Sequence, residues 1–437
     1  MRNKLGERIK YWLQMLLLPL YGLSFLVPRN NKIWLFGSTF GRRFAENPRY
    51  LYLYVSQHSD GSRYYRNHQN QMNQAVSGSE QPESQAIIHG IRPVWISHDK
   101  AIVAFLSEQG YEAYYYHSLK GIALALRAGV YIYDNYSKDI NFWQSGGAFK
   151  LNLWHGTGNK QINHNNIHDA VRHPKNGWEK WKTWLRRLSD EKPSDYILTT
   201  SEEMKPHFAS AFQVPSDHVL VAGYPRNDLL FDGEESGIDP VYTPEENELL
   251  QRIQAYKQNG LRIVTYMPTF RASESMFFQV MDLEKFNAFL SEEGILLLAK
   301  LHVKSKLKAQ FEAFDYSNIL SVNPNIDTYT FLREAELLIT DYSSVYTDYM
   351  LLNRPVIAFT YDEQEYERDS REYTISQDEY MPELKAANME ELMENLRILK
   401  EHDPRQEARL RSRQRMFQTV TGDASRTIAD WLQRMLR

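Results

Sequence analysis

Residues 93–135, PVWISHDKAIVAFLSEQGYEAYYYHSLKGIALALRAGVYIYDN, contain the pattern that decides the fold. Three runs, PVWISH, YEAYYYHS and VYIYDN, are rich in the aromatic and β-branched residues that strands favour. The two stretches between them, DKAIVAFLSEQG and LKGIALALRAG, have helical spacing and stop at Gly110 and Gly129. Strands that alternate with helices in this way predict βαβ units of a parallel sheet.

The same alternation continues on both sides of this stretch. Strands are predicted at IWLFGS (33–38), DYILTTS (195–201) and HVLVAGYP (218–225), and an acidic linker rich in Gly and Pro follows at 231–246. A second block has predicted strands RIVTYMPTFR (262–271), ILLLAKLH (295–302), ILSV (319–322), ELLITDYS (336–343) and PVIAFT (355–360), with helices EKFNAFLSEEG and SSVYTDYMLLNR. We therefore predict an α/β fold of the GT-B type, with two Rossmann-like domains and a cleft between them.

The predicted boundaries give three parts. Residues 1–30 form an apolar and basic segment, and residues 31–235 form the first domain, in which 57–86 is a polar insertion. Residues 236–437 form the second domain, which ends in charged helices from about 387 onward.

Composition excludes several classes of protein. The chain has 437 residues, of which 42% are hydrophobic and 24% charged, and this is typical of a packed globular protein. It has no cysteine, which excludes thiol nucleophiles, Cys-ligated metals and disulfides. A formal net charge of −4 disfavours general binding to nucleic acid.

Two segments have the composition of membrane-surface elements. YWLQMLLLPLYGLSFLVP (11–28) follows four basic residues and is interrupted by Pro19, so an interfacial anchor is favoured over a membrane span or a buried core helix. KNGWEKWKTWLRRL (175–188) places Trp178 and Trp181 at helical spacing among lysines and arginines, which suits an anionic lipid surface. An ordinary surface helix packed by its tryptophans is the alternative.

Polar residues follow the predicted strands, where α/β sheets bind ligands. Ser343 and Ser344 open a helix, so their hydroxyls and the free N–H groups there could bind a diphosphate, and Asp348 lies one turn later. Alternatively, one of the serines only caps the helix. Thr269 and Arg271 form a second cluster suited to phosphate.

Two histidines also follow apolar runs. His155 in LNLWHGTGNK precedes Gly156 and Gly158, which would let a substrate approach the imidazole closely. With an unperturbed pKa of ~6.5, such a histidine suits general base catalysis. His302 ends another predicted strand, where a structural role is the alternative.

These motifs together resemble those of the CDP-glycerol glycerophosphotransferase family, the TagB/TagF-like enzymes of teichoic acid and related capsule synthesis. The resemblance covers roughly residues 90–390. It rests on WHGT (154–157), GYPRND (223–228), MPTFR (267–271), KLH (300–302) and ITDYSSVYTDYMLLNRPVIAF (339–359), and FGRRFAENPRYLY (40–52) also fits it.

The resemblance implies transfer of a polyol phosphate from CDP-glycerol, or a related CDP-polyol, to a hydroxyl of a lipid-linked acceptor, with release of CMP. It also implies peripheral binding to the cytoplasmic face of the cell membrane, an acceptor-side first domain and a donor-binding second domain. By motif, the catalytic residues would be His155, the base, and His302, which would also hold the donor diphosphate. The other donor-binding residues would be Thr269, Arg271, Ser343, Ser344, Asp348 and Arg226.

The sequence departs from the family pattern at two places. Gly158-Asn159 stands where Pro-Leu is frequent, and Val303 stands where proline often follows the histidine. No carboxylate cluster points to a dedicated Mg²⁺ site, so we expect neither metal nor cofactor. The alternatives are a GT-B glycosyltransferase that uses a nucleotide sugar, a ribitol phosphate enzyme, and a non-catalytic membrane-associated scaffold.

Overall fold

The first domain is built on a parallel sheet that contains the stretch 93–135. The computed structural model describes residues 11–68, 88–231, 236–271, 274–312, 315–369 and 373–437. The sheet has seven strands in the order β3-β2-β1-β4-β5-β6-β7. They are β1 (Asn30–Phe36), β2 (Arg92–Ser97), β3 (Ala113–Tyr115), β4 (Ala128–Tyr133), β5 (Phe149–Asn152), β6 (Tyr196–Thr199) and β7 (Val219–Val221). The parallel βαβ units predicted from the sequence are therefore confirmed.

Helices surround this sheet. They are α1 (Leu18–Ser24), α2 (Glu46–His58), α3 (Lys100–Glu108), α4 (Leu119–Arg127), α5 (Gly177–Asp190) and α6 (Lys205–Phe212). Gly110, with φ 84°, follows the end of α3 as predicted. Gly129 does not end α4 but lies within β4, where a Cβ atom would be 2.6 Å from Cα of Asn31. The glycine at this position lets β4 approach β1 closely.

The second domain repeats the topology. Its sheet has six strands in the order β10-β9-β8-β11-β12-β13. They are β8 (Arg262–Tyr266), β9 (Ile295–Ala299), β10 (Ile319–Ser321), β11 (Leu337–Thr340), β12 (Val356–Phe359) and β13 (Leu384–Ala386). The sequence did not predict β13, because its residues LKA lack a strand-like apolar run. Two parallel sheets with helices around them confirm the predicted GT-B-like α/β fold.

The helices of the second half begin with α7 (Pro244–Gln258), which starts at a capping box of Thr243 and Glu246. The others are α8 (Phe277–Val280), α9 (Leu283–Glu292), α10 (Lys308–Phe311), α11 (Val345–Tyr349), α12 (Glu363–Asp369), α13 (Gln377–Tyr380), α14 (Met389–Glu401), α15 (Gln406–Met416) and α16 (Ala424–Met435). The last helix returns to the first domain, where Trp431 packs edge-on against Tyr196 of β6 at 4.9 Å. Asp228 caps this helix although it lies 196 residues before Ala424 in the sequence. Its carboxylate accepts hydrogen bonds of 2.9 and 2.8 Å from the N–H groups of Ala424 and Ser425.

The apolar segment 11–28 forms a short 3₁₀ turn, Gln14–Leu17, and then α1. Leu16 and Leu26 are 74% and 77% exposed, so the segment is not a buried core helix. In the part of the chain that the structure describes, no helix is long and apolar enough to cross a membrane. The predicted basic start of this segment and most of the polar insertion 57–86 lie outside the described residues.

Candidate active site

A cleft of about 1040 Å³ lies between the two sheets and is lined by both domains. In parallel α/β sheets, ligands bind beyond the carboxyl ends of the strands, where the strand order reverses. That reversal lies between β1 and β4 in the first sheet and between β8 and β11 in the second. The loops that follow these strands supply Phe40, Asn135, Thr269, Ser343 and Ser344 to the cleft.

His155 lies in the cleft on the loop after β5. Its Nδ1 is 3.0 Å from the carbonyl oxygen of Asp134. Because a carbonyl can only accept a hydrogen bond, Nδ1 carries the proton and Nε2 of the neutral ring has a free lone pair. The imidazole is therefore held in the tautomer that a general base requires.

The loop that presents His155 has an unusual backbone. Trp154 has φ 50° and Gly156 has φ 145°, so the histidine stands between two residues in the left-handed half of conformational space. Asn47, at the start of α2, holds the loop by donating to the carbonyls of Leu153 and Trp154 at 3.2 and 2.8 Å. Such backbone strain persists only when surrounding contacts fix it.

The glycines of this loop also lie at the contact between the two domains. The sequence suggested that they let a substrate approach the imidazole. A Cβ atom added to Gly156 would lie 3.4 Å from Oγ of Ser344. A Cβ atom added to Gly158 would lie 3.2 Å from Cβ of Ser344. The glycines thus let the histidine loop of the first domain, residues 153–158, pack against Ser344 of the second.

Two hydroxyl groups of the second domain lie at the cleft. Ser344 is exposed and precedes α11 without making a side-chain capping bond. Oγ1 of Thr269 is buried and has no hydrogen-bond partner among the described residues. Ser343 lines the same face. The structure therefore places Thr269, Ser343 and Ser344 together, facing His155 across the cleft.

Arg271 lies behind this face. Its guanidinium is 8% exposed and forms ion pairs with Asp341 at 2.7 Å and with Asp362 at 2.5 Å. Asp341 also accepts a bond of 2.8 Å from the N–H group of Thr269. These carboxylates raise the pKa of the Arg271 guanidinium, although burial alone would lower it. Among the described residues, no group of three or more His, Asp or Glu side chains is placed to hold a metal ion.

His302 has the opposite tautomer to His155. Its Nδ1 accepts a bond of 3.2 Å from the N–H group of Lys304, so in the neutral ring Nε2 carries the proton. Burial, together with the charges of Lys304 and Lys300, lowers its pKa and favours that neutral form. His302 lines the cleft beside Phe270 and can donate a hydrogen bond to a ligand oxygen.

Arg226 and Asp348 form a buried ion pair of 2.6 Å beneath the cleft, with side chains 2% and 0% exposed. Arg226 also donates to the carbonyl of His155 at 2.8 Å and bonds to Glu46. Asp348 accepts further bonds from Asn227 and Tyr329 at 2.9 and 2.5 Å. Neither residue lines the cleft, and the pair connects α11 of the second domain to the histidine loop of the first.

Sequence reasoning did not assign roles to Asn47, Glu46 and the carbonyl of Asp134. The first two lie in FGRRFAENPRYLY, a stretch that resembles the family pattern. The sequence therefore marked this stretch as relevant to the family, but it did not show what its side chains do. The role of the Asp134 carbonyl could not be recognised from the sequence, because every residue has a backbone carbonyl.

Comparison with known proteins agrees with this architecture. Residues 20–433 match the family model described as CDP-Glycerol:Poly(glycerophosphate) glycerophosphotransferase. The teichoic acid glycerol-phosphate transferase of Staphylococcus aureus is 24% identical over 86% of this chain and 85% of its own. The teichoic acid poly(glycerol phosphate) polymerase of Staphylococcus epidermidis is 24% identical over 80% of this chain but 43% of its own.

This chain therefore spans less than half of the length of that polymerase. It spans 61% of the length of the related teichoic acid glycerol-phosphate primase of Bacillus subtilis. Among solved structures, the wall teichoic acid polymerase TagF soaked with CDPG superposes with a TM-score of 0.69 at 21% identity. The match covers 100% of this chain and 98% of that one, which establishes a common fold. With a family model that matches nearly its whole length, the chain belongs to the CDP-glycerol glycerophosphotransferase family.

Proposed function

We propose that the protein transfers glycerol phosphate, or a related polyol phosphate, from a CDP-activated donor to a hydroxyl of a lipid-linked acceptor in the synthesis of a teichoic-acid-like or capsule polymer. One observation carries this proposal. A histidine held in the tautomer of a base faces, across one cleft, a set of hydroxyl and imidazole donors suited to a diphosphate. Family membership agrees with this chemistry.

In this mechanism, Nε2 of His155 takes the proton from the acceptor hydroxyl as its oxygen attacks the β-phosphorus of the donor. A new P–O bond forms, and the bond from the β-phosphorus to the bridging oxygen breaks, which releases CMP. Phosphoryl transfer mainly requires positioning and neutralisation of charge. Thr269, Ser343, Ser344 and the Nε2–H group of His302 would bind the diphosphate oxygens.

In this proposal, the buried residues support the reacting groups. Arg271 fixes Asp341, which in turn orients Thr269. Arg226 and Asp348 hold the histidine loop against α11 and so fix the part of the cleft where donor and acceptor would meet.

Nucleotide release tests the proposal directly. The purified protein would be incubated with CDP-glycerol, CDP-ribitol and UDP-linked sugars in the presence of membrane lipid extract. We expect CMP release from a CDP-polyol and no UDP release. Release of UDP alone would instead support the glycosyltransferase alternative, and absence of any release would favour the scaffold.

The donor site predicts weaker binding in two hydroxyl variants. Thr269→Val and Ser344→Ala each remove one hydrogen bond to the charged diphosphate, worth about 1.5–3 kcal/mol, so CDP-glycerol affinity should fall at least about tenfold in each. Titration calorimetry measures this. Ser321→Ala, on β10 at the edge of the same sheet, is the control and should bind normally. Unchanged affinity in both cleft variants would contradict the site.

We further propose that the protein lies on the cytoplasmic face of the membrane, where CDP-activated donors are made. The two segments predicted to meet lipid lie against each other. The rings of Trp12 and Trp181 are 4.4 Å apart, and the N–H group of Arg186 donates to the hydroxyl of Tyr11 at 3.3 Å. Trp178 and Trp181 are 60% and 53% exposed.

Together with exposed leucines of 11–28, these tryptophans form one apolar surface bordered by basic residues of α5. Tryptophan at such a boundary is typical of proteins that insert shallowly into the headgroup region. This surface supports a peripheral attachment.

Liposome sedimentation should separate the apolar and the ionic contributions to membrane binding. A Leu16→Ser/Trp181→Ser variant should bind anionic vesicles less at every salt concentration, because apolar insertion is not screened. Lys180→Gln/Lys182→Gln should lose binding mainly at low salt, since each basic residue contributes about 1 kcal/mol that salt screens. Leu119→Ser alters a leucine that is 89% exposed elsewhere, and should bind like the wild type. If all variants sediment equally, the attachment lies elsewhere.

A further inference from the structure

The cleft continues beyond His155 along the first domain, away from the donor side. Its far end is lined by Tyr11, Gln14 and Arg186, at the junction of the apolar surface formed by 11–28 and α5. Between His155 and that end lies one continuous wall, made of Phe40, Tyr136, Lys138, Asn163 and Arg172. We refer to these five residues as the acceptor wall.

The wall presents an aromatic side chain from a strained turn. Thr39, Phe40 and Gly41 have consecutive φ values of 49°, 57° and 74°. Buried carboxylates hold the turn, since Asp134 accepts from the N–H group of Thr39 at 3.0 Å and Asp139 from that of Phe40 at 2.8 Å. Strain of this kind persists where the surroundings enforce it, and it clusters at ligand sites.

The turn leaves the ring of Phe40 43% exposed in the cleft. Nζ of Lys138 lies 5.0 Å from the centre of that ring and 4.8 Å from that of Tyr136. The wall thus combines an aromatic face with a cation, a pairing that suits a polyol or sugar with its C–H groups on the ring and an anion beside it.

Positive charge exceeds negative charge along the cleft. Among its described lining residues there are five cationic side chains and two carboxylates, Asp169 and Asp190. The carboxylates are engaged by the protein, because Asp169 pairs with Arg172 at 2.5 Å and Asp190 with Lys138 at 2.5 Å. The excess positive charge of the cleft therefore comes from its other cations, Arg42, Lys160 and Arg186, and it favours an anionic ligand in the cleft as a whole.

Two buried donors of the wall point to the same chemistry. Arg172 has a side chain 7% exposed, yet its Nε has no hydrogen-bond partner among the described residues. The same holds for Nδ2 of Asn163, another residue with a positive φ, 47°. Buried donors are normally satisfied, so an unpaired set beside a cavity indicates a ligand rich in acceptor oxygens.

We propose that the acceptor wall binds the phosphate ester unit that precedes the reacting hydroxyl of the acceptor. This inference rests on the proposed transferase function and adds to it the residues that select the acceptor. Asp134, whose carbonyl orients His155, is separated from Tyr136 by one residue. The wall therefore begins next to the residue that orients the base, and the rest of the acceptor extends toward the apolar surface.

Direct binding measurements test this without any turnover. The probe is glycerophosphoglycerol, a phosphodiester with free hydroxyls at both ends, titrated into the full-length protein by ligand-observed NMR. The wild type should bind it. Lys138→Gln should weaken binding by about tenfold, the factor expected for loss of a charged hydrogen bond, and Phe40→Ala should weaken it several-fold. Lys120→Gln is the matched control, because Nζ of Lys120 lies 4.8 Å from the ring of Tyr114 outside the cleft.

Calorimetry with CDP-glycerol on the same samples separates the two proposals. Unchanged donor affinity alongside weakened diester binding supports the acceptor wall. The wall is overturned if the wild type does not bind the diester, or if Lys138→Gln and Arg172→Gln bind it as the wild type does. It is also overturned if inorganic phosphate displaces the diester at equal concentration, since that shows a plain anion site. Failure of the proposed function is seen separately, as a wild type that neither binds CDP-glycerol nor releases CMP.

Discussion

Replacing His155 with alanine should reduce the transfer rate by roughly 10²–10⁴-fold, the range typical for loss of a general base. The reason is local. Nε2 is the atom left with a free lone pair when Nδ1 donates to the carbonyl of Asp134, and alanine provides no substitute. Affinity for CDP-glycerol should change little, because the proposed donor-binding residues belong to the other domain.

CMP release and calorimetry together measure the two effects. His218→Ala is the matched control, since Nδ1 of His218 also bonds to a backbone carbonyl, that of Asp195, at 2.8 Å, but outside the cleft. It should transfer at the wild-type rate. Turnover of His155→Ala close to that of the wild type would refute the assignment of the base.

Replacing Arg226 with methionine should destabilise the protein by about 3–5 kcal/mol, as is typical when one partner of a buried ion pair is removed. The substitution leaves Asp348, which is fully buried, without its cation, and it also removes the bond to Glu46. Activity should fall as well, because the carbonyl of His155 loses its donor.

Urea denaturation measures the free energy of unfolding in this variant. Arg415→Met removes an exposed arginine that pairs with Glu203 at 2.5 Å, and it should cost no more than about 1 kcal/mol. The double variant Arg226→Met/Asp348→Leu should recover part of the lost stability, since no lone charge then remains at Asp348. Equal stability of Arg226→Met and Arg415→Met would contradict the structural role given to the pair.

The sequence predicts most of the fold because apolar strand runs such as Ile295–Ala299 are buried on both faces and are recognisable locally. It also predicts that Ser343, Ser344, Thr269 and His302 lie at strand ends and that His155 follows an apolar run, and the structure brings all five to one cleft. Convergence of strand ends is a property of the topology and needs no side-chain detail.

The rest of the site depends on contacts between distant parts of the chain. Arg271 and Arg226 have the charge expected of phosphate ligands, but buried carboxylates engage both, and no local pattern reveals such partners. The contact that holds Trp154 at its positive φ is equally hidden, because Asn47, which donates to its carbonyl, lies about a hundred residues earlier in the chain.

The position of α16 has a consequence for the order in which the molecule can be completed during synthesis. This helix packs on α2 and β6 of the first domain, and its buried side chains Ile428, Ala429 and Leu432 belong to the same apolar cluster as Tyr52 and Phe208. A ribosome makes the chain from the N-terminus, so the first domain emerges long before the residues that cover it. Its core can therefore close only after the second domain has been translated, and the two halves of the molecule mature together.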